Sequence, residues 1–292
     1  VMIRLDAAAS GPAAVCDAGG TNSALARRKK KGAVIMLHGW AQNARVFHKK
    51  TLKLAKKLCN AGYDVLYPEA PHVLPMKSTI SIEGRPVEIT NGGRKNARAW
   101  FTYNRNDPCD TAESQSGKNI EYVGLVDSLD LIAGVMQECI GNDRRKEDDK
   151  REILALIGFS QGGTFAHILA SLAVSARDRM TMTKKHEESD CTSMFGSIDG
   201  VICIGAFSAK HFSKEENKYH PSLDQIVTMK SLHVIGKSDT SVRPELSEDL
   251  STLFDGSEIY EHEKGHIVPT NNASCGAIIE FLEGLLLYCG RI

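Results

Sequence analysis

From residue 33 onward, short apolar runs alternate with amphipathic stretches, and that alternation predicts a mostly parallel β-sheet with helices on both faces. The runs are Ala33 to Leu37, Asp64 to Tyr67, Ile153 to Ile157, Val201 to Ile204, Leu232 to Ile235 and Glu258 to Tyr260. Between them, apolar residues recur three and four apart: Phe47, Thr51, Leu54 and Leu58; Tyr122, Leu125, Leu129, Ile132 and Met136; Phe165, Leu169 and Leu172; and Ile278, Ile279, Leu282 and Leu286. Each set predicts a helix with one buried face. Residues 1–31 lack sustained periodicity apart from a short strand signal at Val1 to Leu5, and are expected to be a poorly ordered N-terminal extension outside the core. Residues 32–292 are expected to form a single α/β domain. Polar insertions interrupt it: 76–119, long enough for lid or pocket elements, and 141–151 and 178–199, which read as solvent loops.

At 292 residues and 42% hydrophobic content the chain can bury a full core. Its thirty-six basic residues balance thirty-six acidic ones, so no global field draws it to nucleic acid, an anionic membrane or a polyanion. A neutral small substrate fits this balance better. The basic run Arg27 to Lys31 reads as a solvated charge cluster. The eight cysteines include no C-x-x-C pair, which points to reduced thiols. No apolar segment approaches the roughly 18 residues that span a bilayer, and no secretory leader pattern is visible. A soluble, intracellular (cytoplasmic) protein with no membrane span is expected; the oligomeric state is not legible.

The strongest local signal is Gly158-Phe159-Ser160-Gln161-Gly162, a G-x-S-x-G between an apolar run and a helical pattern. A sharp strand-to-helix turn would push the Ser160 hydroxyl out at the carboxyl end of the sheet, with Gly158 and Gly162 leaving room for neighbouring backbone. The Gln161 N–H would then face developing negative charge at a helix N-terminus. A second oxyanion donor belongs on the loop after the first core strand, where Leu37-His38-Gly39-Trp40 offers the N–H of Trp40. His38 itself reads as a residue packed at a strand end and bonded to backbone.

A serine hydroxyl needs an imidazole to take its proton, and a carboxylate to hold that imidazole in the right tautomer. Asp239 follows the run Leu232 to Ile235, and His266 follows the last apolar pattern, so both are expected on loops at the catalytic edge. Asp224, Glu245 and Asp249 read as surface carboxylates. Trp40, Trp100 and Phe207 are candidates for an apolar acyl-binding wall. A rival reading is His262-Glu263-Lys264-Gly265-His266, which matches the zinc-peptidase pattern H-E-x-x-H; Gly265 and Pro269 argue against the helix that pattern needs, so no metal is expected.

Several segments together resemble the FSH family of serine hydrolases, a branch of the α/β-hydrolase superfamily. They are Leu37 to Asn43, Tyr67 to His72, Arg98-Ala99-Trp100-Phe101, Gly158 to Gly162, Ser231 to Asp239, and Gly265 to Pro269. The resemblance implies a triad carried by Ser160, Asp239 and His266, acting on carboxylic esters without a cofactor; the expected substrate is an acyl ester or thioester. The 76–119 region, with Trp100 and Phe101, is expected to overhang the pocket. A catalytically idle hydrolase fold, used as a ligand-binding or scaffold protein, is the competing class.

Overall fold

The computed structural model describes residues 2–5, 30–75, 77–82, 85–90, 94–104, 121–140, 152–182, 193–209, 219, 223 and 225–291. In chain order the elements are β1 (Met2–Leu5), β2 (Gly32–Leu37), α1 (Ala44–Asn60), β3 (Tyr63–Pro68), β4 (His72–Val73), β5 (Lys77–Ile82), β6 (Arg85–Thr90), β7 (Arg98–Ala99), β8 (Thr102–Asn104), β9 (Glu121–Val123) and α2 (Leu125–Ile140). They continue with β10 (Ile153–Phe159), α3 (Gln161–Met182), a 3-10 turn (Ser193–Ser197), β11 (Gly200–Ile204), β12 (Lys230–Gly236), α4 (Pro244–Ser251), β13 (Ser257–His262) and α5 (Asn272–Tyr288).

Seven strands form one sheet in the order β1-β3-β2-β10-β11-β12-β13; β1 is antiparallel to β3 and the other neighbours are parallel. Strands β2, β3, β10 and β11 are buried along their whole length, as expected of central strands covered on both faces. One apolar layer places α2 and α3 against the sheet through Leu129, Ile132, Phe165 and Leu169. The other seats α1 and α5 on the opposite face through Phe47, Leu54, Ile278 and Leu282. Asn43 caps α1, its Oδ1 accepting from the Val46 N–H at 2.9 Å; Asn271 caps α5 in the same way at 2.8 Å. No helix among the described residues is long and apolar enough to cross a membrane.

The course of the chain departs from expectation in four places. Met2–Leu5 is not outside the core but an edge strand of the sheet, and Arg4 reaches the wholly buried Asp64 at 3.6 Å. The end of the basic run is not simply solvated either: Lys30 Nζ lies 3.1 Å from Asp64 Oδ2, and Lys31 pairs with Glu283. A buried carboxylate needs such partners, and the run supplies one. Residues 6–29 lie outside the described residues. In the 178–199 insertion α3 runs on to Met182, and the 3-10 turn buries Phe195 against Tyr219, so part of the expected solvent loop is core. The fourth departure is at Tyr122, which belongs to β9; Gly124, at φ 78°, breaks the chain before α2 begins at Leu125.

Within 76–119, β5 pairs with β6, while β4–β7 and β8–β9 form two small ladders beside the main sheet. The insertion 141–151 lies outside the described residues.

Three buried histidines resist protonation. Burial lowers His38 and His167 to about 4, and lowers His233, which also faces His167, to about 3. His167 Nε2 and His233 Nδ1 have no hydrogen-bond partner among the described residues, so nothing there welcomes an added proton. An unfolded histidine takes up its proton near pH 6.5. As pH falls from there towards 4, the unfolded chain therefore binds protons that the folded chain refuses, and stability is lost across that window. Thermal melts should show a midpoint several degrees lower at about pH 5 than at about pH 7, and a flat profile would contradict the assignment of neutral buried imidazoles.

Candidate active site

The turn from β10 to α3 puts Ser160 at φ 53°, a left-handed conformation that non-glycine residues rarely adopt. It survives because its neighbours are glycines in tight contact. A Cβ on Gly158 would stand 2.2 Å from the Gly162 carbonyl oxygen, and one on Gly162 would stand 2.2 Å from the Leu37 carbonyl oxygen. The Ser160 N–H donates to the Ile204 carbonyl at 2.9 Å, and its own carbonyl accepts from the N–H groups of Gly163 and Thr164. The turn is thus tied to both flanking strands, β2 and β11.

Asp239 lies beyond the end of β12 and is 5% exposed. Its Oδ1 accepts from the Ser241 and Val242 N–H groups, each at 2.9 Å, and its Oδ2 lies 2.7 Å from His266 Nδ1. A carboxylate can only accept, so Nδ1 carries the hydrogen and Nε2 of the neutral ring presents its lone pair. The His266 loop is held against the acid loop: Lys237 N–H donates to the His262 carbonyl, Ser238 Oγ donates to the Glu263 carbonyl, and a Cβ on Gly236 would meet the Lys264 carbonyl at 2.5 Å. The His266 ring also packs on Phe159, the residue before the serine, with centroids 4.7 Å apart.

Gly205 brings these parts together, and the sequence reading did not single it out. It follows Ile204, which bonds Ser160, and a Cβ there would lie 3.2 Å from both Asp239 Oδ2 and His266 Nδ1. Its φ is 50°. The available signal was a glycine directly after the apolar run Val201 to Ile204.

Gly39 sits over the same turn, where a Cβ would be 3.0 Å from the Phe159 ring and 3.3 Å from Ser160 Cβ. Trp40 follows it, 37% exposed, and Gln161 is the first residue of α3, where N–H groups have no acceptor in a preceding turn. His38 is fully buried, its Nδ1–H donating to the Gly39 carbonyl and its Nε2 accepting from the Ala70 N–H. Both ring nitrogens are occupied, as the strand-end reading expected.

Trp100 and Phe101 are not where a substrate wall would put them. Both are fully buried in the core; Trp100 stacks on Phe165 at 5.0 Å, and Phe101 meets Tyr122 edge-on. Large aromatics at this position fill the space between α2 and α3 instead of overhanging the edge. Trp100 also carries polar bonds: its N–H donates to Gln161 Oε1 at 3.0 Å and its indole Nε1–H to the His38 carbonyl at 2.8 Å. Gln161 Nε2 completes a clamp on the Phe101 carbonyl at 2.8 Å. Phe207 is half-buried on the loop after β11, its carbonyl accepting from Thr164 Oγ1.

His262 ends β13 and residues 263–267 form bends, so the H-E-x-x-H match lacks the helix that would put both histidines on one face. His262 Nδ1 instead accepts from the Lys264 N–H. No cluster of three or more metal-ligating side chains occurs among the described residues. Glu245 and Asp249 are exposed on α4, and Asp224 lies outside the described residues. A groove between β13 and α5 is lined by Lys230, Ile259, Phe281 and Tyr288, and Ser160 is not among its lining residues.

The sheet and its carboxyl-edge turn define the chain as an α/β-hydrolase-fold protein. The family model described as "Serine hydrolase (FSH1)" matches residues 27–278, and the chain belongs to that family. Among curated relatives, Esterase OVCA2 of Xenopus tropicalis is 26% identical over 266 residues, covering 91% of this chain and 98% of that protein. Family of serine hydrolases 2 of Saccharomyces cerevisiae is 25% identical over 256 residues, covering 86% and 98%. Among solved structures, the Zea mays acyl-protein thioesterase 2 is similar at a TM-score of 0.49 and 14% identity, covering 89% of this chain and 96% of that one.

The glycine contacts make a paired prediction for stability. Gly162→Ala, driven into the Leu37 carbonyl, should lower unfolding free energy by about 3 kcal/mol or more, or abolish folding. Gly134→Ala, on the exposed side of α2 with nothing within 4 Å of its Cβ, should raise it by about 0.5–1 kcal/mol. Urea unfolding of the two variants checks both signs.

Proposed function

We propose that this chain is a carboxylesterase-type serine hydrolase, a single catalytic domain over 32–292 that cleaves acyl esters or thioesters through an acyl-enzyme on Ser160. The observation that carries the reading is the Asp239–His266 hydrogen bond, positioned through Gly205 and Phe159 beside a serine in a strained turn. An Asp–His pair buried for packing alone would not require a left-handed serine next to it.

In the proposed cycle, Ser160 Oγ attacks the acyl carbon while His266 Nε2 takes the hydroxyl proton. Asp239 keeps the ring in the Nδ1–H tautomer and stabilises the imidazolium. The N–H groups of Trp40 and Gln161 receive the negative oxygen, and losing one such donor typically costs about 3 kcal/mol of barrier. Collapse breaks the C–O or C–S bond, and the leaving alcohol or thiol collects the proton from Nε2. Water then attacks the acyl-enzyme, with Nε2 again accepting its proton; the C–Oγ bond breaks as Nε2 returns that proton to Ser160 Oγ, and the acid is released. Trp40 and Phe207, both partly exposed, remain the candidates for contact with the acyl chain.

The buried bonds of Trp100 give it a positioning part in this cycle, because it holds the Gln161 side chain with its backbone and the His38 carbonyl with its indole. Gln161 is itself one proposed oxyanion donor, and His38 lies two residues before the other, Trp40. Trp100→Phe keeps the aromatic body and removes the indole donor; it should lower kcat on p-nitrophenyl esters about tenfold with KM little changed, whereas a purely structural part would leave kcat intact in the folded variant.

Ser160→Ala should abolish labelling by a fluorophosphonate probe and turnover of p-nitrophenyl esters. Asp239→Asn should fold and lose about 10⁴ in kcat through the wrong tautomer. Wild-type protein that neither labels nor turns over would favour the idle-fold reading, and labelling retained in Ser160→Ala would assign the nucleophile to another residue.

A further inference from the structure

The balanced net charge hides one sharp local excess. Helix α1 contains Arg45, Lys49, Lys50, Lys53, Lys56 and Lys57 and not one acidic residue. All but the partly covered Lys57 are exposed, and at 100° per residue the six fall within an arc of about 140° that excludes the buried Phe47–Leu54–Leu58 face. Among the described residues none of the six is ion-paired.

That arrangement opposes helix stability. Arg45–Lys49, Lys49–Lys53 and Lys53–Lys57 are like-charge pairs four residues apart, which repel, and a cation in the first turn opposes the helix dipole. A helix kept in place only by its buried face would be better served by acids at some of these positions. Two aliphatic side chains, Val46 and Leu52, stand 37% and 38% exposed within or at the edge of the same arc. The helix begins at the carboxyl edge of β2, the edge that carries Ser160, Asp239 and His266, and Trp40 and Ile267 are also exposed at that edge.

We infer that the outward face of α1 docks on an anionic phospholipid bilayer. The six cations line one side of a helix of 17 residues, which suits a plane of headgroups better than a groove. Val46 and Leu52 stand within or beside the row of cations, where they can enter the headgroup–acyl boundary, which a nucleic acid backbone does not offer to aliphatic groups. Docking in this pose would set the catalytic edge beside the lipid surface. The helix stays packed on the sheet through its apolar face, so the attachment is peripheral and electrostatic.

The test is co-sedimentation of the full chain with phosphatidylcholine vesicles, with and without roughly 30 mol% phosphatidylserine. Binding should require phosphatidylserine and weaken steeply between about 0.1 M and about 0.5 M salt. Combined Lys49→Gln, Lys50→Gln, Lys53→Gln and Lys56→Gln should lower vesicle affinity at least about tenfold while leaving p-nitrophenyl ester turnover in free solution unchanged. The Ser160→Ala protein should bind like wild type, which separates docking from the hydrolase reading. Absent binding, equal binding to neutral vesicles, an unaffected quadruple variant, or capture by duplex DNA in preference to anionic vesicles at matched phosphate would each overturn the inference.

Discussion

Asp239 accepts hydrogen bonds on both carboxylate oxygens, and the division of labour between them organises the site. Two backbone N–H groups fix Oδ1, so the carboxylate cannot rotate, and Oδ2 is left pointing at His266 Nδ1. Everything else at this edge accommodates that bond. A Cβ on Gly205 would crowd that bond at 3.2 Å from both of its atoms, and the His266 loop is stitched to the Asp239 loop by contacts through Lys237, Ser238 and Gly236. In the mechanism proposed, a fixed carboxylate matters more than a mobile one, because preorganised dipoles need no reorientation as charge develops.

Much of the architecture was legible because central parallel strands announce themselves. A run such as Val201 to Ile204 is apolar on both faces, and only a strand covered from both sides tolerates that. The Ser160 turn was legible because glycines two residues either side of a serine are what crowded backbone requires, and the contacts of Gly158 and Gly162 supply the physical reason. Asp239 and His266 could be placed beforehand because each closes a strand signal and each precedes a helix or turn signal at the same edge.

Other features stayed out of reach for equally physical reasons. Trp100 and Phe101 look like pocket aromatics in a polar insertion, but no local pattern reveals that the insertion sends them into the core against Phe165 and Tyr122. Gln161 could be named for its backbone N–H, yet its side-chain clamp on residues 100 and 101 depends on a contact sixty positions away. The edge strand Met2–Leu5 and the pairing of Lys30 with Asp64 are also long-range, and a basic run alone does not show which buried acid it will meet. By contrast α4 carried a readable signal that went unused: Pro244 at its first turn followed by Glu245, with Leu250 buried beneath.

The central claim is that one edge of the sheet brings a serine, an imidazole and two N–H donors to a single acyl group. The most direct measurement is a crystal structure of the protein inactivated by a p-nitrophenyl alkylphosphonate. The account predicts phosphorus bonded to Ser160 Oγ, its unesterified oxygen within about 3 Å of both the Trp40 and Gln161 nitrogens, and His266 still bonded to Asp239. A phosphonyl oxygen turned away from those two nitrogens, or phosphorus bonded to any other side chain, would contradict it.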